Sequence, residues 1–168
     1  MELDQAAQVS ADVNVSDRAG MPCEISGSTE GVVISQAAAM LEAYPKDSGG
    51  IDRQALIECI EACFECAQTC TACADACISE DMVAEMSKCI RSDLDCADIC
   101  AATGAVISRH TGYDANITRS VLEACRVVCR SCAAECERHA GMHDHCRICA
   151  EACRRCEQAC AALLHGLG

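Results

Sequence analysis

Aromatic side chains are nearly missing from this chain, which has no tryptophan, one phenylalanine and two tyrosines in 168 residues. Rings normally supply much of the buried area of a core, so a conventional core of large apolar groups is excluded. Alanine and cysteine take that place; they let helices come close but bury little area each. Stability must draw on something more, and bound metal is the candidate. Proline is scarce as well: Pro22 and Pro45 are the only two, so no proline interrupts a helix beyond residue 50. Nowhere does the chain hold the roughly 18 consecutive apolar residues that a membrane-spanning helix needs.

Positive charge is the next shortage. Lysine and arginine number 13 against 26 acidic residues, for a net charge of −13. Such a surface disfavours nucleic acid and anionic membrane as partners. No basic segment leads closely into the apolar residues 31–43, so the sequence predicts no secretory signal and a cytosolic location. Thiols stay reduced there, and many cysteines then point to metal rather than disulfides. A Ser–His–Asp set, a phosphate-binding loop and a pair of catalytic carboxylates are all lacking, which argues against an enzyme.

What the chain does have is cysteine, 19 of them. Eighteen fall into four blocks: Cys59, Cys63, Cys66, Cys70, Cys73 and Cys77; Cys89, Cys96 and Cys100; Cys125, Cys129, Cys132 and Cys136; and Cys146, Cys149, Cys153, Cys156 and Cys160. Every step is 3 or 4 except a single 7. On a helix this puts each block's thiols in one stripe on one face, where a bundle helix normally carries leucine or isoleucine. The spacing predicts an all-α chain, with helices over 51–77, 82–108, 117–139 and 143–164. Short turns between them imply an antiparallel up-down-up-down four-helix bundle. An additional short N-terminal helix is expected over 29–44, ended by Pro45. Residues 1–28, with the isolated Cys23, read as a disordered tail, 29–50 as short helix and linker, and 51–168 as the bundle.

The stripes extend past the cysteines. In the second block the row runs Met82, Met86, Cys89, Asp93, Cys96, Cys100, Thr103, Ile107. The third passes from Leu122 to His139 and His143, the fourth from Met142 to Leu163, and the first starts at Leu56. One end of the bundle therefore collects Met82, Met86, Met142, His139 and His143. The other collects Leu56, Ile107, Leu122 and Leu163, an apolar plug. His139 and His143 are candidate ligands; Asp93 is either a solvated carboxylate or a partner to metal or histidine. The methionines are either ligands or core. His145 and His110 fall off the stripes and read as surface residues, and His165 as solvated.

Thiolates and thioethers select Cu(I), zinc or iron–sulfur clusters. Two sulfurs on one ion sit roughly 4.6 Å apart at bond lengths of about 2.3 Å, and side chains three or four apart on a helix are about 5–6 Å apart at Cβ. A helical CxxC or CxxxC pair can therefore bridge one Cu(I). Isolated dithiolate sites would each carry negative charge into a buried core. About one Cu(I) per thiolate makes the column neutral, which suggests roughly eighteen ions per chain. Zinc prefers separate four-ligand sites, and an iron–sulfur run ends in proline and wraps a loop; neither suits an unbroken helical ladder. A thiolate-rich zinc store and a thiol-based redox or sulfur-transfer enzyme stay open as alternatives.

A cysteine-lined four-helix pattern of this kind over residues 51–164 resembles the bacterial copper storage proteins, in particular their cytosolic branch. The resemblance implies a homotetramer of bundles storing many Cu(I) ions, with a copper donor or acceptor that is a protein or a small thiol. It also implies copper ligation by histidines around the third turn, matching His139 and His143, and by an acidic residue in the second helix, matching Asp93.

Overall fold

The computed structural model describes residues 34–46 and 50–167. The expected tail, Cys23 and the start of the helix expected over 29–44 lie outside them. Within them the first helix, α1 (Gln36–Glu42), begins where the Ser35 hydroxyl accepts from the Ala38 N–H at 3.2 Å. The four long helices follow. Asp52 caps α2 (Arg53–Ile78), accepting from the amides of Gln54 and Ala55, so this helix starts two residues later than the cysteine period suggests. A 3-10 turn (Val83–Met86) leads into α3 (Ser87–Ile107) in place of the regular helix expected from residue 82. Gly112, at φ 67°, supplies the left-handed residue that turns the chain toward α4 (Ala115–His139),. Asp114 caps α4 by accepting from Asn116 N–H at 2.8 Å. His143 is extended at φ −127° and ψ 112°, and α5 (Asp144–Gly166) begins only after it.

The described residues are all helix and turn. α2 packs on α3 and α5, and α4 packs on the same two, so the helices form a closed ring in chain order. The short turns make neighbours antiparallel, which is the expected up-down-up-down bundle. The described helices include none long and apolar enough to cross a membrane.

The interior has two zones. The eighteen cysteines of the four blocks are all buried, at 0–1% exposure. Leu56, Ile107, Leu122 and Leu163 are buried together with them, and Leu41 of α1 joins the same core. Each such leucine or isoleucine contributes about 1.5–3 kcal/mol on burial, so the plug carries much of the ordinary hydrophobic stabilisation. Tyr44, just past α1, donates to or accepts from Thr111 Oγ1 at 2.8 Å and meets the His110 ring edge-on at 5.0 Å. These contacts tie α1 to the α3–α4 loop. Ion pairs such as Arg154–Glu137 and Arg155–Glu65 cross between helices on the surface; each is worth about 0–1 kcal/mol and adds little.

Candidate metal centre

The helical stripes turn the four cysteine blocks inward, and the thiols meet across the bundle in a continuous column. At the plug end Cys59 lies 3.8 Å from Cys160, and Cys63 lies 3.8 Å from Cys156. Cys156 reaches Cys125 at 3.8 Å; Cys125 reaches Cys100 at 3.6 Å, and Cys100 reaches Cys129 at 3.4 Å. Cys96 bridges Cys129 and Cys153 at 3.8 and 3.9 Å. Cys153 then meets Cys66 at 3.6 Å and Cys70 at 3.5 Å, and Cys70 meets Cys149 and Cys132 at 3.6 and 4.0 Å. The sulfurs are far too distant for disulfides, which need about 2.05 Å. With bonds of about 2.3 Å, such separations suit bent sulfur–metal–sulfur angles; a linear bridge needs each pair to open toward about 4.6 Å. The helical spacing anticipated the linear bridge, and the sulfurs stand closer together than that.

Asp93 occupies the slot left by the one seven-residue step. It is 0% exposed, so the reading of it as a solvated carboxylate does not hold. Its Oδ1 accepts from Cys132, Cys136 and Cys149 at 3.0, 3.2 and 3.4 Å, and Cys89 approaches Oδ2 at 3.8 Å. Burial pushes its carboxyl up to about 10, and negative charge at Cys149 and Cys132 would act in the same direction. Burial also pushes the Cys77 thiol up to about 12. Desolvation disfavours the charged form of a buried thiol or carboxyl, whereas hydrogen bonds from neighbouring thiols pull others down, Cys59 to about 5 beside Cys160.

Beyond Asp93 the column ends on a histidine that the sequence pattern had placed on the surface. His145 Nδ1 lies 3.5 Å from both Cys73 and Cys146 and 4.0 Å from Cys77. The stripe misses it because heptad counting presumes unbroken helix; His145 sits in the first turn of α5 and reaches sideways to α2. Its other nitrogen, Nε2, faces Glu80 Oε1 at 3.1 Å, and the same oxygen accepts from His143 Nδ1 at 2.8 Å. His145 therefore carries its proton on Nε2 and turns the Nδ1 lone pair to the thiols. Glu80, in the α2–α3 turn, carried no signal in the sequence. The hydrogen bond from His145 holds its carboxyl below the usual range.

His143 and His139 are brought to this end, but not into the thiol column. His139 Nε2 lies 3.6 Å from Glu135 Oε1. Among the described residues, no thiol hydrogen-bonds to either ring. Met86 is buried, whereas Met82 and Met142 are exposed, since both stand in turns rather than on helical stripes. His110 is half-buried against Tyr44, and His165 is exposed as expected.

Cysteine sulfurs and His145 fall into groups of four donors whose atoms lie within 4.8 Å of one another. They include Cys63, Cys125, Cys156 and Cys160; Cys66, Cys96, Cys100 and Cys129; Cys70, Cys132, Cys149 and Cys153; and Cys73, Cys77, His145 and Cys146. A further group reuses Cys66, Cys70, Cys96 and Cys153. Shared members make this a chain of linked sites, suited to thiolates that bridge several soft ions.

Known proteins share the pattern. The chain is 65% identical to the copper storage protein Ccsp from Streptomyces lividans, whose structure loaded with 10 copper equivalents matches 77% of this chain and 98% of its own with a TM-score of 0.77. Another structure of a Streptomyces lividans copper storage protein, described as cytosolic and holding five coppers, is 69% identical over 71% of this chain and all of its own, at a TM-score of 0.70. The uncharacterized cysteine-rich protein YhjQ of Bacillus subtilis (strain 168) is 39% identical over 62% of this chain and 92% of its own length. Residues 52–165 match the family Csp, copper storage protein, and with the sulfur-lined bundle in place the chain is a member of that family.

Proposed function

We propose that this chain is a cytosolic store and buffer for Cu(I), holding about one ion per core thiolate as bridged sites and clusters along the column. The observation that carries this is the unbroken sulfur ladder with shared donors. Separate zinc sites would need donor groups that do not overlap. A thiol enzyme would need a reachable thiolate, and every thiol of the ladder is buried. The relatives named above support copper as the cargo. The ligands are the eighteen cysteines of the four blocks, with Asp93 between them and histidines at the open end. The protein acts as a homotetramer of such bundles and performs no catalysis. Anaerobic titration of the reduced protein with Cu(I) against competing chelators tests the reading. The expected endpoint lies well above ten ions per chain, near the eighteen core thiols. Saturation at about four ions or fewer would overturn it. Cys23→Ser is expected to leave that endpoint unchanged, because Cys23 belongs to none of the four blocks; a loss of several ions would bring the N-terminal residues into the store.

Copper passes in and out at the histidine end. The far end is filled by Leu56, Ile107, Leu122 and Leu163, which offer no ligand. Because His145 touches three thiols and His139 touches a carboxylate, His145→Phe should slow stopped-flow uptake several-fold. The His139→Phe/His143→Phe pair should change the rates less, and total capacity should fall by a few ions at most. Equal uptake by wild type and His145→Phe would place the route elsewhere.

A further inference from the structure

The outer face of the open end holds a donor set of a different kind from the sulfur column. One oxygen, Glu80 Oε1, lies 2.8 Å from His143 Nδ1 and 3.1 Å from His145 Nε2. The two rings face each other at 5.4 Å with a 37° tilt. Three elements bring these groups together: the turn after α2, the cap of α5 and its first turn. The side chains are 18–34% exposed, so solvent and ions reach them while the thiols behind stay covered. Each imidazole nitrogen lies within 3.1 Å of the one carboxylate oxygen, near the roughly 3.4 Å between neighbouring corners of a tetrahedron with bonds of about 2.1 Å. This is borderline-ion chemistry, unlike the soft sulfur within. The full charge of Glu80 outweighs the half-charge at the α5 N-terminus, which works against a cation.

The geometry points to a separate divalent-cation site for one Zn(II) per chain, formed by His143, His145 and Glu80 with water in the fourth position. Zinc takes the lone pair of His143 Nδ1 and of His145 Nε2, and the single proton of each ring moves to its other nitrogen, Nε2 of His143 and Nδ1 of His145. His145 is then held from outside by Nε2 while its Nδ1 still faces Cys73 and Cys146. The ring that meets the first thiols is thereby fixed, and copper exchange through this end becomes dependent on zinc.

This inference rests on the copper reading only in using Cu(I) to occupy the thiols, and it takes His143 and the outer nitrogen of His145 from the copper ligands and gives them to zinc. If that reading fails, the failure shows at the loading step as low copper content, before zinc is added. The full-length protein is saturated anaerobically with Cu(I), mixed with Zn(II), freed of unbound metal and measured for both metals. Co(II) serves as a parallel spectroscopic probe. The expected result is about one zinc per chain with no copper lost, and low-symmetry cobalt d–d bands with no thiolate-to-cobalt charge transfer. Glu80→Gln and His143→Gln should weaken zinc binding by about 10–100-fold or more. Glu85→Gln removes an equal charge from the same turn outside the donor set, and it should bind zinc as wild type does. Chelator-driven copper removal from wild type should slow several-fold once zinc is bound. Zinc binding that survives Glu80→Gln, a thiolate charge-transfer band, or displacement of copper by zinc would each overturn the site. Unchanged copper removal with zinc in place would overturn its link to exchange.

Discussion

Asp93→Asn should make the empty, reduced protein more stable than wild type above about pH 5, with the gap widening as pH rises. The native carboxyl titrates at about 10, whereas an unfolded aspartate titrates near about 3.9. A folded pKa above the unfolded one gives a contribution that is complete below about pH 4 and is lost progressively as pH rises toward 10. Each unit in that window costs about 1.4 kcal/mol, so the upper bound at pH 7 is about 4 kcal/mol. An asparagine keeps a carbonyl oxygen for the thiols of Cys132 and Cys136 and has no charge to expel. Carboxylates held low by partners, such as Glu137 beside Arg154, act in the opposite sense but only as pH falls through their own lowered range. Groups that titrate between pH 5 and 8, such as His110, which burial holds low, are common to both proteins, so the difference between them across that range isolates Asp93. Thermal unfolding followed by far-ultraviolet circular dichroism is the measurement. A difference of about 4 kcal/mol in a chain of this size moves the midpoint by roughly 8–16 °C. Parallel pH dependences for the two proteins would mean that Asp93 is already ionised among the empty thiols.

Leu122→Ala should be the costliest single change at the closed end. Leu122 is 0% exposed and shares the plug with Leu56, Ile107 and Leu163. Leucine-to-alanine changes at such sites cost about 2–5 kcal/mol, the larger values where the site cannot collapse. Whole domains are stable by only about 5–15 kcal/mol, and here the core beyond the plug is mostly cysteine, which has little bulk to move into the gap. The expected fall in the metal-free protein's midpoint is about 4–20 °C. Ile117→Ala, at an exposed position of the same helix, should stay within about 0.5 kcal/mol of wild type. A midpoint unmoved by Leu122→Ala would show that the sulfur column alone holds the bundle shut.

The bundle and the column were both legible in the sequence, because a 3-and-4 spacing leaves a helix only one way to present its thiols. Asp93 was legible as a place in the row but not as a state; most of its ring of thiols comes from two other helices, α4 and α5. The open end was read less well. Counting back from Cys146 put Met142 on the inner face, and counting on from Cys136 through His139 put His143 there, yet α4 ends at His139 and α5 begins at Asp144, so neither count has meaning between them. Met142 consequently stands in solvent. His145 and Glu80 come together from separate turns, and no periodicity links a turn to a turn.

One end of the column is stopped with leucine and isoleucine, and this has a consequence for the order of events. A tube with a single opening behaves as a stack: what goes in first lies deepest and leaves last. Copper within one molecule then forms an aged population rather than a mixed one, with recent arrivals near His145 and the oldest beside Leu122. A chain loaded halfway with one copper isotope and completed with another would surrender the second before the first. A cell drawing on such a reserve would always spend its newest copper.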